Sequence, residues 1–221
     1  MRLFLALFSF FILLSCSSEK TPKKEPKEEP KKEIKAVVLS EEEKFLLKLD
    51  KKQKDVYQNL TSYLSQLKSL NADKIVEMTY PKFFSIFSEH TFRGQIFTMA
   101  NSSQIEIKSF NSKILNIEKV KPFSNGEFTQ VSYRSKVIVY LKNPELYSTE
   151  RSLNTLYSIL VRKYGKKSIY VDVKERLITI TKEIKMLAIK ETPNSWKFIG
   201  DNPEYRVFYP SFLPYDILNN I

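Results

Sequence analysis

Residues 131–141, VSYRSKVIVYL, alternate apolar and polar side chains over most of their length. A period of two is typical of a β-strand that turns one face to a core and the other to solvent. The pair Asn125-Gly126 lies just before this stretch and is a strong signal for a hairpin turn. The centre of the chain is therefore predicted to form an antiparallel sheet.

Further strands are predicted on both sides of this stretch. The apolar alternation that marks them occurs at residues 105–107, 115–117, 169–173, 177–180, 186–189 and 196–199. A helix interrupts the series, because apolar residues share one helical face between residues 148 and 164 and Gly165 stands where a helix often ends. One helix is thus predicted between two strands of the sheet.

The region before the strands has helical periodicity. Ser40 and Glu43 have the spacing of a capping box, which marks a helix start. An amphipathic helix is predicted up to about residue 70, because apolar residues recur at helical spacing from Val56 to Leu67. A short helix follows over residues 71–78, then an aromatic-rich segment at residues 81–87 and a third helical stretch over residues 91–100.

Helices followed by a run of strands predict the α+β fold class. The order resembles the nuclear-transport-factor-two-like cone fold over about residues 53–218. The resemblance depends on the aromatic segment 81–87 and on the closing stretch MLAIKETPNSWKFIGDNP, residues 186–203. It implies N-terminal helices packed on a curved antiparallel sheet, with a cavity between the two layers. The helix inserted over residues 148–164 departs from the simple version of that fold.

The N-terminus has the features of an export signal. Arg2 is followed by the apolar run LFLALFSFFILL, which is too short to span a bilayer as a helix. Leu13-Leu14-Ser15-Cys16 resembles the bacterial lipobox. The resemblance implies that residues 1–15 are a lipoprotein signal peptide and that Cys16 carries a multi-chain acyl anchor, which holds a protein stably on a membrane. The alternative is an ordinary secretory signal with an incidental cysteine.

A lipid on Cys16 predicts a location in the bacterial cell envelope. Ser17 stands where an aspartate would favour retention at the inner membrane in Gram-negative bacteria, so its presence favours the outer membrane, on the periplasmic face or the cell surface. In a Gram-positive source the same chemistry gives an anchor on the outer leaflet of the single membrane.

Residues 16–39 are predicted to be a disordered linker rich in Lys, Glu and Pro. Too few apolar side chains are present to offset the entropy of chain ordering, and prolines at positions 22, 26 and 30 favour extended conformers. The nineteen residues from Ser17 to Lys35 would reach roughly 60 Å at ~3.1 Å each. The linker is interpreted as a spacer, or alternatively as a charged sorting or cell-wall-contact tag. Residues 40–221 are predicted to form a single α+β domain.

Composition limits the chemistry. The chain has one cysteine and one histidine, so an intrachain disulfide and a histidine-based metal cage are excluded. Its four glycines form no phosphate-binding loop, and no cofactor or metal is predicted. The formal net charge of +11 permits contact with anionic surfaces. Basic and acidic residues are interleaved, so this charge is interpreted as serving solubility and weak surface attraction, and no nucleic-acid partner is predicted.

Four residues are candidates for lining a cone cavity: Tyr140, Tyr170, Asp172 and Trp196. The competing interpretation places the first three toward solvent on their strands and Trp196 in the core. His90 lies in a polar segment that reads as a helix start, so no catalytic residue is assigned. The favoured function is a non-enzymatic binding or accessory module for an envelope protein or cell-wall partner, in an undetermined oligomeric state. The alternative is a small-molecule enzyme of the isomerase, dehydratase or hydrolase type.

Overall fold

The computed structural model describes residues 39–147 and 149–221. The predicted signal peptide, the lipid on Cys16 and the predicted linker up to residue 38 lie outside the described residues. The described chain is an α+β structure in which helices come first and a six-stranded antiparallel sheet follows.

Four helices precede the sheet: α1 (Glu41–Leu47), α2 (Lys51–Ser69), α3 (Ala72–Met78) and α4 (Glu89–Ala100), with a 3₁₀ segment (Pro81–Ser85) between the last two. The predicted capping box starts α1, since the Glu43 amide donates to Ser40 Oγ and the Ser40 amide donates to the Glu43 carboxylate. The apolar face predicted from the periodicity of α2 is buried, at Val56, Leu60, Tyr63, Leu64 and Leu67.

The sheet consists of β1 (Ile105–Ile117), β2 (Lys121–Phe123), β3 (Gly126–Leu141), β4 (Ile169–Asp172), β5 (Leu177–Glu191) and β6 (Lys197–Gly200). The strand order is β1-β3-β5-β4, with β2 paired to β3 and β6 paired to β5. The short helix α5 (Pro144–Tyr147) and the longer α6 (Glu150–Tyr164) connect β3 to β4. The inserted helix that the periodicity predicts is therefore present.

β5 differs from its prediction. The apolar runs at residues 177–180 and 186–189 suggested two strands, but one continuous strand joins them. Ile184 keeps the alternation because it is buried opposite Tyr133, while Glu183 lies opposite Arg134 on the other face. The pattern is hidden in the sequence because four of the five intervening residues, Thr181, Lys182, Glu183 and Lys185, are polar.

The two faces of the sheet are covered differently. Helices pack on one face, where the main core contains Tyr63, Tyr133, Trp196 and Phe198 among many aliphatic side chains. On the opposite face, a second cluster covers the end of the sheet near Gly126. It includes the C-terminal 3₁₀ segment (Pro203–Ser211), the helix α7 (Tyr215–Leu218) and the aromatic segment around Phe83. The C-terminal tail therefore packs over one end of the sheet.

Candidate functional site: the open face of the sheet

The second cluster leaves the other half of that face exposed, and we name this half the open face. It is formed by alternate residues of β3 from Ser132 to Tyr140 and by the neighbours that share their register. Its charged and aromatic side chains are Glu106, Lys108, Lys113, Arg134, Lys136, Tyr140, Tyr170, Asp172, Glu183 and Lys185.

At one end of the open face, two cations lie close to Tyr140. The guanidinium carbon of Arg176 is 5.1 Å from the centroid of the Tyr140 ring, and Lys108 Nζ is 5.2 Å from the same centroid. Arg176 also donates a hydrogen bond to the Tyr140 hydroxyl. An electron-rich aromatic face favours such cations, so Tyr140 holds two positive charges together at the edge of the face.

Arg176 adopts an unusual backbone conformation. Its φ of 54° is left-handed, although it is not a glycine. For an ordinary residue this conformation costs about 1–2 kcal/mol. The carbonyl of Arg176 accepts a hydrogen bond from the Leu141 amide at 3.0 Å, and its Nη1 is buried with no hydrogen-bond partner among the described residues. A strained, partly desolvated cation is a feature that tends to occur at functional sites.

Asp172 and Tyr170 flank this end of the face. Asp172 Oδ1 accepts a hydrogen bond from the Glu175 amide at 3.0 Å and so stabilises the turn between β4 and β5. The Tyr170 side chain is 65% exposed and lies opposite Thr179 on the open face. Tyr140 and Asp172 are both paired with Leu177, so the structure brings three of the four predicted residues to one end of β5.

Trp196 lies elsewhere. It precedes β6, which pairs with the opposite end of β5, and its side chain is only 2% exposed. The indole Nε1 donates to Asp55 Oδ2 at 2.8 Å, and Lys190 Nζ lies 5.7 Å from the ring centroid. Trp196 therefore joins β6 to α2 from within the core and does not contribute to the open face.

Positive charge dominates the middle of the open face. Lys113 and Arg134 are directly opposite each other on β1 and β3, and Lys136 is the next residue of β3 on that face. Arg134 is paired with Glu183, and Lys108 with Glu106. Within the described ranges, no carboxylate lies within ion-pairing distance of Lys113, Lys136 or Lys185. Like charges placed opposite each other are destabilising, so this surface favours an anionic partner.

Several aromatic side chains are buried in the core between helices and sheet. The rings of Tyr63 and Phe198 stack with centroids 5.1 Å apart. Burial raises the pKa of Tyr63 to about 12 and the pKa of Tyr133 well above its ordinary value, so both phenols stay protonated. The Tyr133 hydroxyl is buried without a hydrogen-bond partner in the described structure. These groups are neutral at physiological pH.

Acid–base chemistry in that interior would need a group such as a carboxylate, a histidine or a tyrosine. Among the side chains that the structure describes, Asp201 is the one buried carboxylate. It lies after β6 and accepts hydrogen bonds from Arg206 Nη2 at 2.9 Å and Nε at 3.1 Å. Asp201 is therefore part of the link between β6 and the C-terminal segment. His90 is exposed in the first turn of α4.

Sequence reasoning missed Lys108 and Arg176. Lys108 lies at a β-bulge between Ile107 and Ser109, which shifts the register by one residue. Arg176 occupies a left-handed turn position where glycine or asparagine would be the expected signal. No local sequence pattern predicts the bulge at Lys108 or the left-handed conformation of Arg176. Only the folded structure shows that both cations lie close to Tyr140.

The described residues contain no group of three or more His, Cys, Asp or Glu side chains placed to hold a metal ion. None of the helices in the described part of the chain combines the length and apolar character needed to cross a bilayer. No protein-family model matches the chain, and neither a curated protein nor a solved structure is significantly similar to it.

Proposed function

We propose that this chain is a lipid-anchored protein of the bacterial cell envelope, whose domain binds a partner without catalysing a reaction. In this proposal acyl chains on Cys16 hold the protein on the outer membrane, and residues 16–39 act as the spacer between membrane and domain. The partner is an envelope protein or a cell-wall component that contacts the open face.

The contrast between interior and surface carries this proposal. Between helices and sheet, Tyr63, Tyr133 and Phe198 are buried in the core, where an enzyme of this architecture would need polar groups. The open face instead offers exposed cations and the exposed ring of Tyr170. Exposed charged and aromatic groups on the surface and apolar packing in the core favour binding over catalysis.

The finer fold assignment is also part of the proposal. Helices α1 to α4 followed by an antiparallel sheet follow the order of the nuclear-transport-factor-two-like cone fold. The aromatic 3₁₀ segment and the closing β6 occupy the two stretches on which the resemblance depends. We treat α6 as an insertion into that order between β3 and β4.

One observation supports the alternative, an enzyme that uses the interior. The buried hydroxyl of Tyr133 has no partner in the described structure, and an unsatisfied buried group is costly unless it serves a purpose. A small substrate that reached this hydroxyl would receive a hydrogen bond from it. Replacement of Tyr133 by phenylalanine separates the two functions, because a binding module keeps its partner whereas such an enzyme loses activity.

Site-specific photo-cross-linking in cells tests the proposal. A benzoylphenylalanine introduced at Tyr170 replaces an exposed ring on the open face, and the same group at Tyr215 replaces a ring that is 75% exposed on α7. We expect a discrete cross-linked product with an envelope component from position 170 and none from position 215. No product at position 170, or the same products at both positions, would contradict the proposal.

A further inference from the structure

A second surface lies at the free edge of β1. A groove of about 790 Å³ runs between α1, α2 and β1. Ligand pockets have volumes of about 300–1,000 Å³. Apolar side chains of its wall and floor are Phe45, Tyr57, Leu64, Ile114 and Leu115. We name it the edge groove.

One wall of the edge groove is an unpaired strand edge. In the described chain β1 pairs with β3 on one side only, and residues 112–115 of β1 line the groove. Gln53 Nε2 donates to the Ile117 carbonyl at 2.8 Å and so occupies the end of this edge. The backbone before that point remains available, and an open edge is a template for an added strand.

The rim of the edge groove is basic. Lys44, Lys48, Lys68 and Lys113 line it, together with Glu41 and Glu42. Both carboxylates are engaged, since Glu41 pairs with Lys44 at 2.9 Å and Glu42 accepts a hydrogen bond from the Tyr57 hydroxyl. Within residues 39–147 and 149–221, no carboxylate lies within ion-pairing distance of Lys48, Lys68 or Lys113. The groove thus has positive charge left for an acidic ligand.

We propose that the edge groove binds an extended acidic peptide segment of a partner protein, which adds a strand to β1. Along a strand, side chains alternate between the two faces of the sheet. Lys113 lies on the open face, and Ile114 lies on the helix-covered face opposite Tyr133. A peptide with alternating carboxylate and apolar side chains therefore matches both sides of this edge.

The chain's own linker is a poorer occupant. Prolines at positions 22, 26 and 30 interrupt residues 16–30, and proline has no N–H to donate to a neighbouring strand. Residues 31–39, KKEIKAVVL, lack proline but carry three lysines and one glutamate, so they would bring net positive charge to a basic rim. This site is separate from the proposed contact around Tyr170, although Lys113 borders both surfaces.

The test uses the full-length chain in detergent and a fluorescein-labelled decapeptide of alternating glutamate and valine. Two control peptides carry lysine in place of glutamate, or N-methyl groups on alternate backbone nitrogens. We expect saturable binding of the acidic peptide, measured by fluorescence anisotropy, at least tenfold tighter than binding of either control. Hydrogen exchange should show new protection within residues 112–114.

Charge-reversal variants locate the site. Lys48→Glu and Lys68→Glu should each weaken binding of the acidic peptide about tenfold, whereas Lys136→Glu, which lies outside the edge groove, should change it less than twofold. The proposal is overturned by equal binding of the N-methylated peptide, by an equal loss in Lys136→Glu, or by no binding. A concentration-dependent dimer that excludes the peptide would assign the groove to a second copy and also overturn it. Cross-linking from position 170 reports on the other surface, so the two proposals can fail separately.

Discussion

Lys113 and Arg134 are direct cross-strand partners on the open face of the sheet. Two like charges in this arrangement repel, although Glu183 on β5 compensates part of the charge of Arg134. A neutral residue at either position would remove this repulsion. This arrangement leads to the first prediction.

Lys113→Gln should raise the free energy of unfolding by about 0.2–1 kcal/mol, because it removes the repulsion across β1 and β3. Urea denaturation at low ionic strength measures the gain, and in 1 M salt, where the Debye length is about 3 Å, it should disappear. The matched variant Lys185→Gln, which lies opposite Ser132, should show no salt-dependent gain. A gain that persists in high salt would mean that the effect is not electrostatic.

Tyr133→Phe should leave stability unchanged or raise it by up to about 1 kcal/mol, because the substitution removes a buried hydroxyl without a partner. Tyr209→Phe is the control, since the Tyr209 hydroxyl donates to the Gly200 carbonyl at 2.9 Å and accepts from the Asn202 amide at 2.8 Å, and it should lower stability by about 1 kcal/mol. Thermal denaturation followed by circular dichroism compares the two. Equal losses would show that the Tyr133 hydroxyl is satisfied after all.

Stability should fall in acid partly through Glu191. Burial raises its pKa, but hydrogen bonds from Lys82 at 2.6 Å and Tyr80 at 2.8 Å outweigh burial and hold the pKa of Glu191 below its ordinary value of 4.5. A lowered folded-state pKa contributes stability above the unfolded-state pKa and loses it as the pH falls through the folded-state value.

Glu191→Gln should therefore cost about 1 kcal/mol at pH 7 and flatten the decline in stability below about pH 4.5. Urea denaturation between pH 3 and pH 7 gives both values. Glu183→Gln removes an ion pair whose two side chains are about half exposed, and it should change stability by less than about 0.5 kcal/mol. If stability fell with pH in the same way in Glu191→Gln as in the unsubstituted protein, the contribution of Glu191 to acid sensitivity would be refuted.

Gly126→Ala should destabilise the domain by about 1–3 kcal/mol. A Cβ at this position would lie 2.0 Å from the carbonyl oxygen of Lys190, and a backbone atom cannot easily move away. Gly94 in α4 has no such neighbour within 4 Å, so Gly94→Ala should instead stabilise the helix by about 1 kcal/mol. Urea denaturation should therefore show a lower free energy of unfolding for Gly126→Ala and a higher one for Gly94→Ala.

Cys16→Ala should move the protein from the membrane fraction to the soluble fraction, because the proposed acyl chains would have no sulfur to attach to. Ser17→Ala is the control and should leave the protein in the membrane fraction. Fractionation of cells followed by immunoblotting measures both. Unchanged membrane association of Cys16→Ala would contradict lipid anchoring.

The sequence predicted the order of the elements well, because burial follows periodicity. The helical spacing from Val56 to Leu67 and the alternation around Tyr133 correspond to buried faces in the structure. A hairpin turn also forms at this place, but its two loop residues are Ser124 and Asn125, and Gly126 is the first residue of β3, paired with Phe123. These features depend on neighbours in the sequence.

The open face could be predicted only in part. Tyr140, Tyr170 and Asp172 are candidates for a cavity lining in the sequence, with a position toward solvent as the alternative. Their meeting at one end of β5 on the open face depends on strand order, which no local pattern encodes. The bulge at Lys108 and the left-handed conformation of Arg176 are likewise set by tertiary contacts. The sequence also gave no sign that the second cluster would cover only half of that face.

The hydrogen bond from Gln53 occupies the Ile117 carbonyl, so a strand added to β1 cannot pair with that carbonyl. At the other end, a bulge between Ile107 and Ser109 breaks the ladder, and a second bulge follows Ile114. An incoming segment can keep an unbroken ladder only along residues 109–114. The edge groove therefore selects its ligand by length and registration as well as by charge, and a long fibrous chain could not extend along it.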